Sequence, residues 1–404
     1  MVIRDVESAR MSIIDSTSGV DYSTLSAAIT GSTANDVLLV PAGTYVENFP
    51  NITHSLTIDS VGGLAVLSNP QPDPPNGRAI LNVPGDDNVS LTISGLALTG
   101  ANNDPSLANP TGPSNGAGIL FETGNDALTV LNSWIYGNED GILTGGADAA
   151  STNGMYVTIS NSEIDNNGAP PTSPRYGYDH NIYVGAATQL TVTNSYIHDA
   201  LGGHEIKSRA LTSIITNNRI QDGSTAQTSY SIDLSDGGIG VVTGNVIEKG
   251  ASAVNKYMID FGAEGTYLDS SLLVSDNVFI NDNGGGTTAV FNPTQDVSGE
   301  TVPATITDNT LYAINPSNLF YDPNGAPFDI ASNNVFLPGP GPTLDISPGY
   351  DVPEPAGISV LLSVSLIVAM TRTMLVATWW RKGIRLFRRS SRRFSVSIAS
   401  APEA

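Results

Sequence analysis

One short pattern returns along most of the chain: apolar residues at alternate positions, a pair of small polar residues dominated by Asn, then a further apolar residue. It reads Leu128-Thr-Val-Leu-Asn-Ser-Trp-Ile135, Val157-Thr-Ile-Ser-Asn-Ser-Glu-Ile164 and Leu190-Thr-Val-Thr-Asn-Ser-Tyr-Ile197, and continues through Ser213–Ile220, Gly240–Ile247, Leu272–Phe279 and Ala304–Leu311 to Asn333-Asn-Val-Phe336. The closing apolar residues are 29, 33, 23, 27, 32, 32 and 25 positions apart. A repeat that varies by whole loops is the signature of stacked coils. Alternation with period two makes each segment a strand, and the Asn or Gly of the polar pair suits a left-handed corner between strands. Asn residues stacked in such a column can also bond one another.

A second strand precedes most copies: Gly118–Phe121, Gly141–Thr144, Asn181–Val184, Glu205–Ser208, Ser231–Leu234, Met258–Phe261 and Ala289–Asn292. No helix-length amphipathic segment separates these strands, which excludes βαβ folds. A β-propeller would need more hairpin turns and a longer period. The fold class expected is therefore all-β, a right-handed parallel β-helix solenoid over residues 20–340. Asp21 to Ile29, with Leu25, Ala28 and Ile29 on one face, is expected as a short N-terminal cap helix. The following Val37–Asn48 resembles the first coil of pectate-lyase-like β-helix proteins, and the resemblance extends over residues 20–340.

The chain has 17 Lys and Arg against 39 Asp and Glu, a net charge of −22. That argues against a nucleic-acid partner. It has no Cys, which excludes disulfides, thiolate metal sites and a Cys nucleophile. Eight of the basic residues lie beyond residue 371, so residues 1–355 carry nine basic and 38 acidic groups, a net −29. Ahead of that basic cluster, Ala356–Trp380 is 25 residues long and largely apolar, with Trp379-Trp380 and Arg381-Lys382 at its end. This predicts a C-terminal transmembrane helix over 356–380, a Pro/Gly-rich linker over 341–355 and a basic cytoplasmic tail over 381–404. Residues 1–19 are left as a leader of unclear role, and Met1–Arg10 lacks the apolar core of a signal peptide. Val352-Pro-Glu-Pro355, the apolar segment and the Arg cluster together resemble the PEP-CTERM sorting signal of exported bacterial proteins. That resemblance implies an extracytoplasmic body, membrane attachment at the cell surface and a sorting protease as partner.

Aligning the second strands by their inward Ile column places Leu120, Leu143, Tyr183, Lys207, Asp233, Asp260 and Phe291 on one outward column. Coils about 4.8 Å apart would turn Tyr183, Lys207, Asp233 and Asp260 into a ladder. Arg209 and Glu205 are expected to flank Lys207 on the same face. Arg175, Lys207, Arg209 and Arg219, with His180, His198 and His204, fall within 45 residues of a body otherwise poor in both types. Such a strip fits an anionic sugar polymer, or it is a charge ladder paired with Glu205, Asp233 and Asp260.

Arg175-Tyr-Gly-Tyr-Asp-His180 and Gly203-His-Glu-Ile-Lys-Ser-Arg209 resemble the active-site region of alginate carbon-5 epimerases and related β-helix polysaccharide lyases. In those enzymes a cation neutralises the uronate carboxylate, a base removes the carbon-5 proton, and an acid protonates the opposite face or the leaving oxygen. The resemblance implies Arg209 at the carboxylate, Lys207 or His180 as base, and Tyr183, Tyr178 or His204 as acid, with Asp179 orienting His180. Arg175, Tyr176, Tyr178, Glu205, Asp233 and Asp260 would bind substrate. Two alternatives remain open: a non-catalytic polysaccharide-binding solenoid whose tyrosines stack on sugars, and a glycoside hydrolase using Asp233 and Asp260. No calcium-loop or zinc motif is present and no cofactor is required. A divalent cation such as calcium would have Asp233, Asp260 and Glu205 as ligands. A monomer is expected.

Overall fold

A computed structural model of the chain describes residues 12–344, except 71–78, 86, 102–115, 146–153, 295–301, 325–328 and 331–332. The repeating strands stack in parallel, each pairing with its counterpart one coil on. Three faces result. The first carries the five-residue alternating strands, such as Gln189–Thr193, Thr212–Thr216 and Ile239–Thr243. The second carries the short strands after the polar pair, such as Tyr196–His198, Arg219–Gln221 and Val246–Lys249. The third is a separate nine-stranded sheet that includes Ile182–Val184, Ile206–Ser208, Ile232–Leu234 and Tyr257–Phe261.

The core is the interior of this tube. Ile119, Ile142, Ile182, Ile206, Ile232, Ile259 and Val290 form one fully buried column behind the third face. On the first face alternation is strict: Leu190 and Val192 are buried while Gln189, Thr191 and Thr193 are partly exposed.

The corner between the first and second faces explains the polar pair. Its first member takes a left-handed backbone at Asn132, Asn161, Asn194, Asn217, Asp276 and Asp308, with Gly at 244. Asn and Asp tolerate this conformation better than other L-residues. The second member points inward and bonds its neighbours. Asn218, Asn245 and Asn277 each donate Nδ2 to the Oδ1 of the next coil's Asn, at 3.1, 3.0 and 3.0 Å, and Asn309 donates to Asn334 at 2.9 Å. Backbone N–H groups follow the same path, and upstream Ser133, Ser162 and Ser195 continue it with hydroxyl acceptors.

The N-terminal end is closed by an antiparallel hairpin, Ile13–Asp15 with Val20–Tyr22, and by a helix, Leu25–Gly31. Thr24 caps that helix by accepting the Ala27 N–H at 3.1 Å, and Leu25, Ala28 and Ile29 seal the core. The hairpin pairs with Leu38 and Leu39, so the body begins ahead of residue 20.

The expected fold class needs one correction. Among the described residues the α-helical content is that single seven-residue helix, and no helix is long and apolar enough to cross a membrane. The segment 356–380 read as a transmembrane helix, the tail 381–404 and the PEP-CTERM-like signal all lie outside the described residues.

Candidate functional site

The third face holds the charged cluster. Its register pairs Tyr183 with Lys207, Lys207 with Asp233, Asp233 with Asp260 and Asp260 with Phe291, and Phe291 pairs with Tyr321. One outward column thus runs apolar through Leu120 and Leu143, becomes ionic, and ends aromatic. The ionic members are not a solvated stripe. Lys207 is 6% exposed, Asp233 1% and Asp260 0%, because neighbouring loops close over them.

Lys207 Nζ lies 2.8 Å from Asp233 Oδ2 and 2.6 Å from Glu264 Oε1. Burial alone would lower its pKa, but Asp233 and Glu264 outweigh burial and raise it. That removes the expected role of Lys207 as base: its carboxylate neighbours keep it charged. Arg209 donates Nε to the Tyr183 hydroxyl at 3.0 Å and Nη1 to Asp236 at 2.8 Å, and its Nη2 pairs with Glu264. The Glu264 carboxylate therefore bridges Lys207 and Arg209, and its side chain is 45% exposed while those of its two partners are 8% and 13% exposed. Asp260 is buried against Asp233. Desolvation and that neighbouring negative charge push its pKa well above the ordinary value.

A second column runs beside the first. His180 and His204 stack at 4.8 Å with rings 8° apart, and His204 stacks on Tyr230 at 5.2 Å. His180 Nδ1 accepts the His204 N–H at 3.0 Å, and His204 Nδ1 accepts the Tyr230 N–H at 3.1 Å. Both rings therefore carry their proton on Nε2. His204 directs Nε2 at Asp233 Oδ2, 3.3 Å away. Burial pushes both pKa values well below 6.5, helped by His204 and Lys207 for His180 and by Lys207 for His204. Each is a neutral donor. Gly203, with φ +78°, lies so close to Asp179 O and the His180 ring that no side chain fits there, which is why a Gly precedes His204.

Several expected roles are displaced. Asp179 does not orient His180. It takes the Arg175 guanidinium, with Nε 2.9 Å from its Oδ2, and Arg175 also meets Glu139 at 3.2 Å. Arg175 is thereby committed to its own loop and to Glu139 in the turn before Asp140. Tyr176 donates its hydroxyl to Gln227 O at 3.3 Å, and Tyr178 is 70% exposed. Glu205 is turned to the corner between the second and third faces, where it accepts from Ala200 N at 3.0 Å and Asn181 Nδ2 at 2.5 Å. It joins neither a substrate surface nor a cation site with Asp233 and Asp260. Tyr230, Tyr257 and Tyr321 stack along the solenoid together with Phe291, Tyr257 meeting Phe291 at 4.4 Å. Glu264 and Asp236 were missed by sequence reasoning. The one signal for Glu264 was its place in Gly262-Ala-Glu-Gly265, directly after the strand bearing Asp260.

Glu163, Asp165 and His198, all buried on the second face, are grouped closely enough to hold a metal ion. His198 spends both nitrogens on carboxylates, Nε2 on Glu163 at 3.1 Å and Nδ1 on Asp199 at 2.8 Å. Burial opposes its charge, but these carboxylates win and raise its pKa to about 9. On the same face burial, with Asp282 and Asp222, lifts Glu248 to about 8. Both groups bind protons more tightly when folded. Their contributions are complete below the unfolded values, 6.5 and 4.5, and are lost as pH rises through about 9 and about 8. The chemical-denaturation midpoint is expected to fall between pH 5 and pH 9, and His198→Gln should flatten the upper part of that decline; a flat wild-type profile would contradict it.

A family model described as right handed beta helix region matches residues 149–334. The coils wind as a right-handed β-helix. No curated protein matches the chain. Among solved structures it is similar to the alginate lyase from Paenibacillus sp. str. FPU-7, at 16% identity over 78% of this chain and 93% of that one, with a TM-score of 0.39. It is also similar to pectin methylesterase PemA from Erwinia chrysanthemi, at 11% identity over 80% and 90% of the two chains, with a TM-score of 0.33.

Proposed function

We propose that this β-helix acts on an acidic polysaccharide by removing the proton at carbon 5 of a uronate residue. One observation carries the reading: the Glu264 carboxylate, presented from the solvent side, is held jointly by Lys207 and Arg209 beside the Tyr183 hydroxyl. A uronate carboxylate entering from solvent would take the place of Glu264. Its negative charge would meet two cations kept charged by their surroundings, which lowers the cost of forming the carbon-5 carbanion. Tyr183 is the group at the right place to exchange a proton, because the Arg209 Nε–H donated to its oxygen strengthens as negative charge builds there. The Tyr183 hydroxyl first gives its proton to solvent, leaving an oxyanion held by the Arg209 Nε–H; the carbon-5 proton then passes to that oxygen, and the electron pair left behind is delocalised into the carboxylate. The pair then either recaptures a proton on the opposite face, giving the epimer, or expels the oxygen at carbon 4, which leaves with a proton and gives an alkene. His180, neutral with its proton on Nε2, lies edge-on to Tyr183 at 5.5 Å and is placed to hydrogen-bond the departing oxygen, while the second proton itself comes from Tyr183 or, on the opposite face, from solvent.

The test is proton NMR of the full chain with alginate, pectate and glucuronan in heavy water. Loss of the carbon-5 hydrogen signal is expected, and a new alkene resonance selects lyase over epimerase. Binding without exchange would leave a non-catalytic solenoid. Glu264→Gln is expected to raise kcat/KM about fivefold, since substrate no longer displaces a half-exposed ion pair; a fall in kcat/KM would instead make Glu264 part of the machinery.

A glycoside hydrolase is favoured by one feature, the buried Asp260, its pKa raised by desolvation and by Asp233, beside the ion-paired Asp233. Reducing-end release from a uronate polymer with no carbon-5 exchange would select it.

A further inference from the structure

Beyond the ionic cluster the same face opens into a cavity of ≈ 600 Å³. Its wall includes Tyr257, Tyr321, Asn255, Asn318, Thr288 and Lys256. Two features distinguish it from the rest of the body. It is continuous with the charged site, because Tyr257 stacks on Tyr230, which stacks on His204, and Tyr321 ends the column that begins at Tyr183. It also has one cation and no carboxylate among its lining residues, on a body whose residues 1–355 carry a net −29.

We propose that this cavity is a second glycan subsite, taking an acidic sugar of the same chain whose reacting residue lies at Tyr183. The inference rests on the reading of the charged site as the place of reaction. Amide and hydroxyl groups with an aromatic wall are what a sugar ring requires, polar at its hydroxyls and apolar on its carbon–hydrogen face. Tyr321, 47% exposed, is the terminal ring of the stack, and exposed Lys256 supplies charge for a sugar carboxylate. From Tyr183 to the coils of Tyr257 and Tyr321 is three to five coil steps, or about 14–24 Å. A disaccharide cannot reach both places, whereas a chain lying along the solenoid axis can. The protein is therefore specific for polymers, and the bound chain runs from the ionic cluster toward the C-terminal coils.

The test measures dissociation constants of oligogalacturonates and oligoguluronates, dimer to octamer, and of neutral cellohexaose, on the full chain by calorimetry. Affinity is expected to climb steeply between dimer and hexamer. Tyr321→Ala should weaken the uronate hexamer about five- to tenfold, and Lys256→Met should weaken it while removing the preference over cellohexaose. Circular dichroism of each variant verifies the fold. Equal affinity for dimer and hexamer, hexamer binding unaffected by both changes, or no oligosaccharide binding at all would overturn the subsite. Carbon-5 exchange, followed on the same samples, separates the two ideas. A Tyr321-dependent hexamer without exchange supports the subsite and removes the reaction, while exchange indifferent to length and to both variants supports the reaction and removes the subsite.

Discussion

Replacing Arg209 with Ala is expected to slow carbon-5 proton exchange about 10²–10³-fold while the β-sheet circular dichroism persists. The size follows from what the guanidinium holds at once: the Tyr183 hydroxyl, Asp236 and the bridging Glu264. Without it the proton-transfer oxygen loses its donor and the substrate carboxylate loses one of its two cations. The fold survives because Asp236, already raised by burial, can take a proton when its partner is gone. Arg209→Lys should recover little, since an ammonium does not serve three partners in a fork. Exchange at the wild-type rate in Arg209→Ala would remove the charged cluster from the reaction altogether.

The largest loss of stability is expected at a residue far from this chemistry. Asn277 is buried in the corner ladder and its side chain makes four bonds: Nδ2 to Val242 O at 2.8 Å and to Asn309 Oδ1 at 3.0 Å, and Oδ1 from the N–H and Nδ2 of Asn245 at 2.9 and 3.0 Å. Asn277→Ala strands several of those partners inside the protein. At about 1–3 kcal/mol for each buried group left unmade, the cost is roughly 3–6 kcal/mol. By contrast Asn194→Ala, which alters the left-handed member of an equivalent pair (φ 51°), should cost about 1–2 kcal/mol through backbone strain alone. Urea unfolding of the two variants side by side checks the ranking, and equal losses would mean that the ladder bonds contribute nothing beyond the turn.

The fold was legible because its signals are local and repeated. Alternation and the Asn pair can be read in any single copy, and the inward Ile column fixes which residues face outward together. That is why the sequence alone places Tyr183, Lys207, Asp233 and Asp260 on one outward column. What the column does chemically was not legible, since it depends on loops that close over it. Glu264 comes from the turn after the strand holding Asp260, and no pattern announces that it reaches back to Lys207 and Arg209. The sign of the Lys207 shift hangs on that one contact and on Asp233. Asp179 misled for a related reason. Adjacency in sequence suggested a partnership with His180, but the carboxylate binds Arg175 four residues back while the imidazole bonds the next coil. The Asn column of the corner was foreseen as a set of residues, whereas its bonding partners emerge only once the coils are stacked.

That ladder also has a direction. From Asn218 to Asn309 every side-chain amide donates one N–H to the Asn oxygen of the coil that follows it and the other to a carbonyl of the coil before, while its own oxygen accepts from the coil before. As the chain leaves the ribosome, each completed coil therefore presents donors whose acceptors have not yet been made. The leading edge of each coil thus carries donors that are met only when the next coil stacks on it. Asn334 accepts from Asn309 and, like the others of the row, returns Nδ2 to a carbonyl of the coil before, Ile306 O at 2.9 Å.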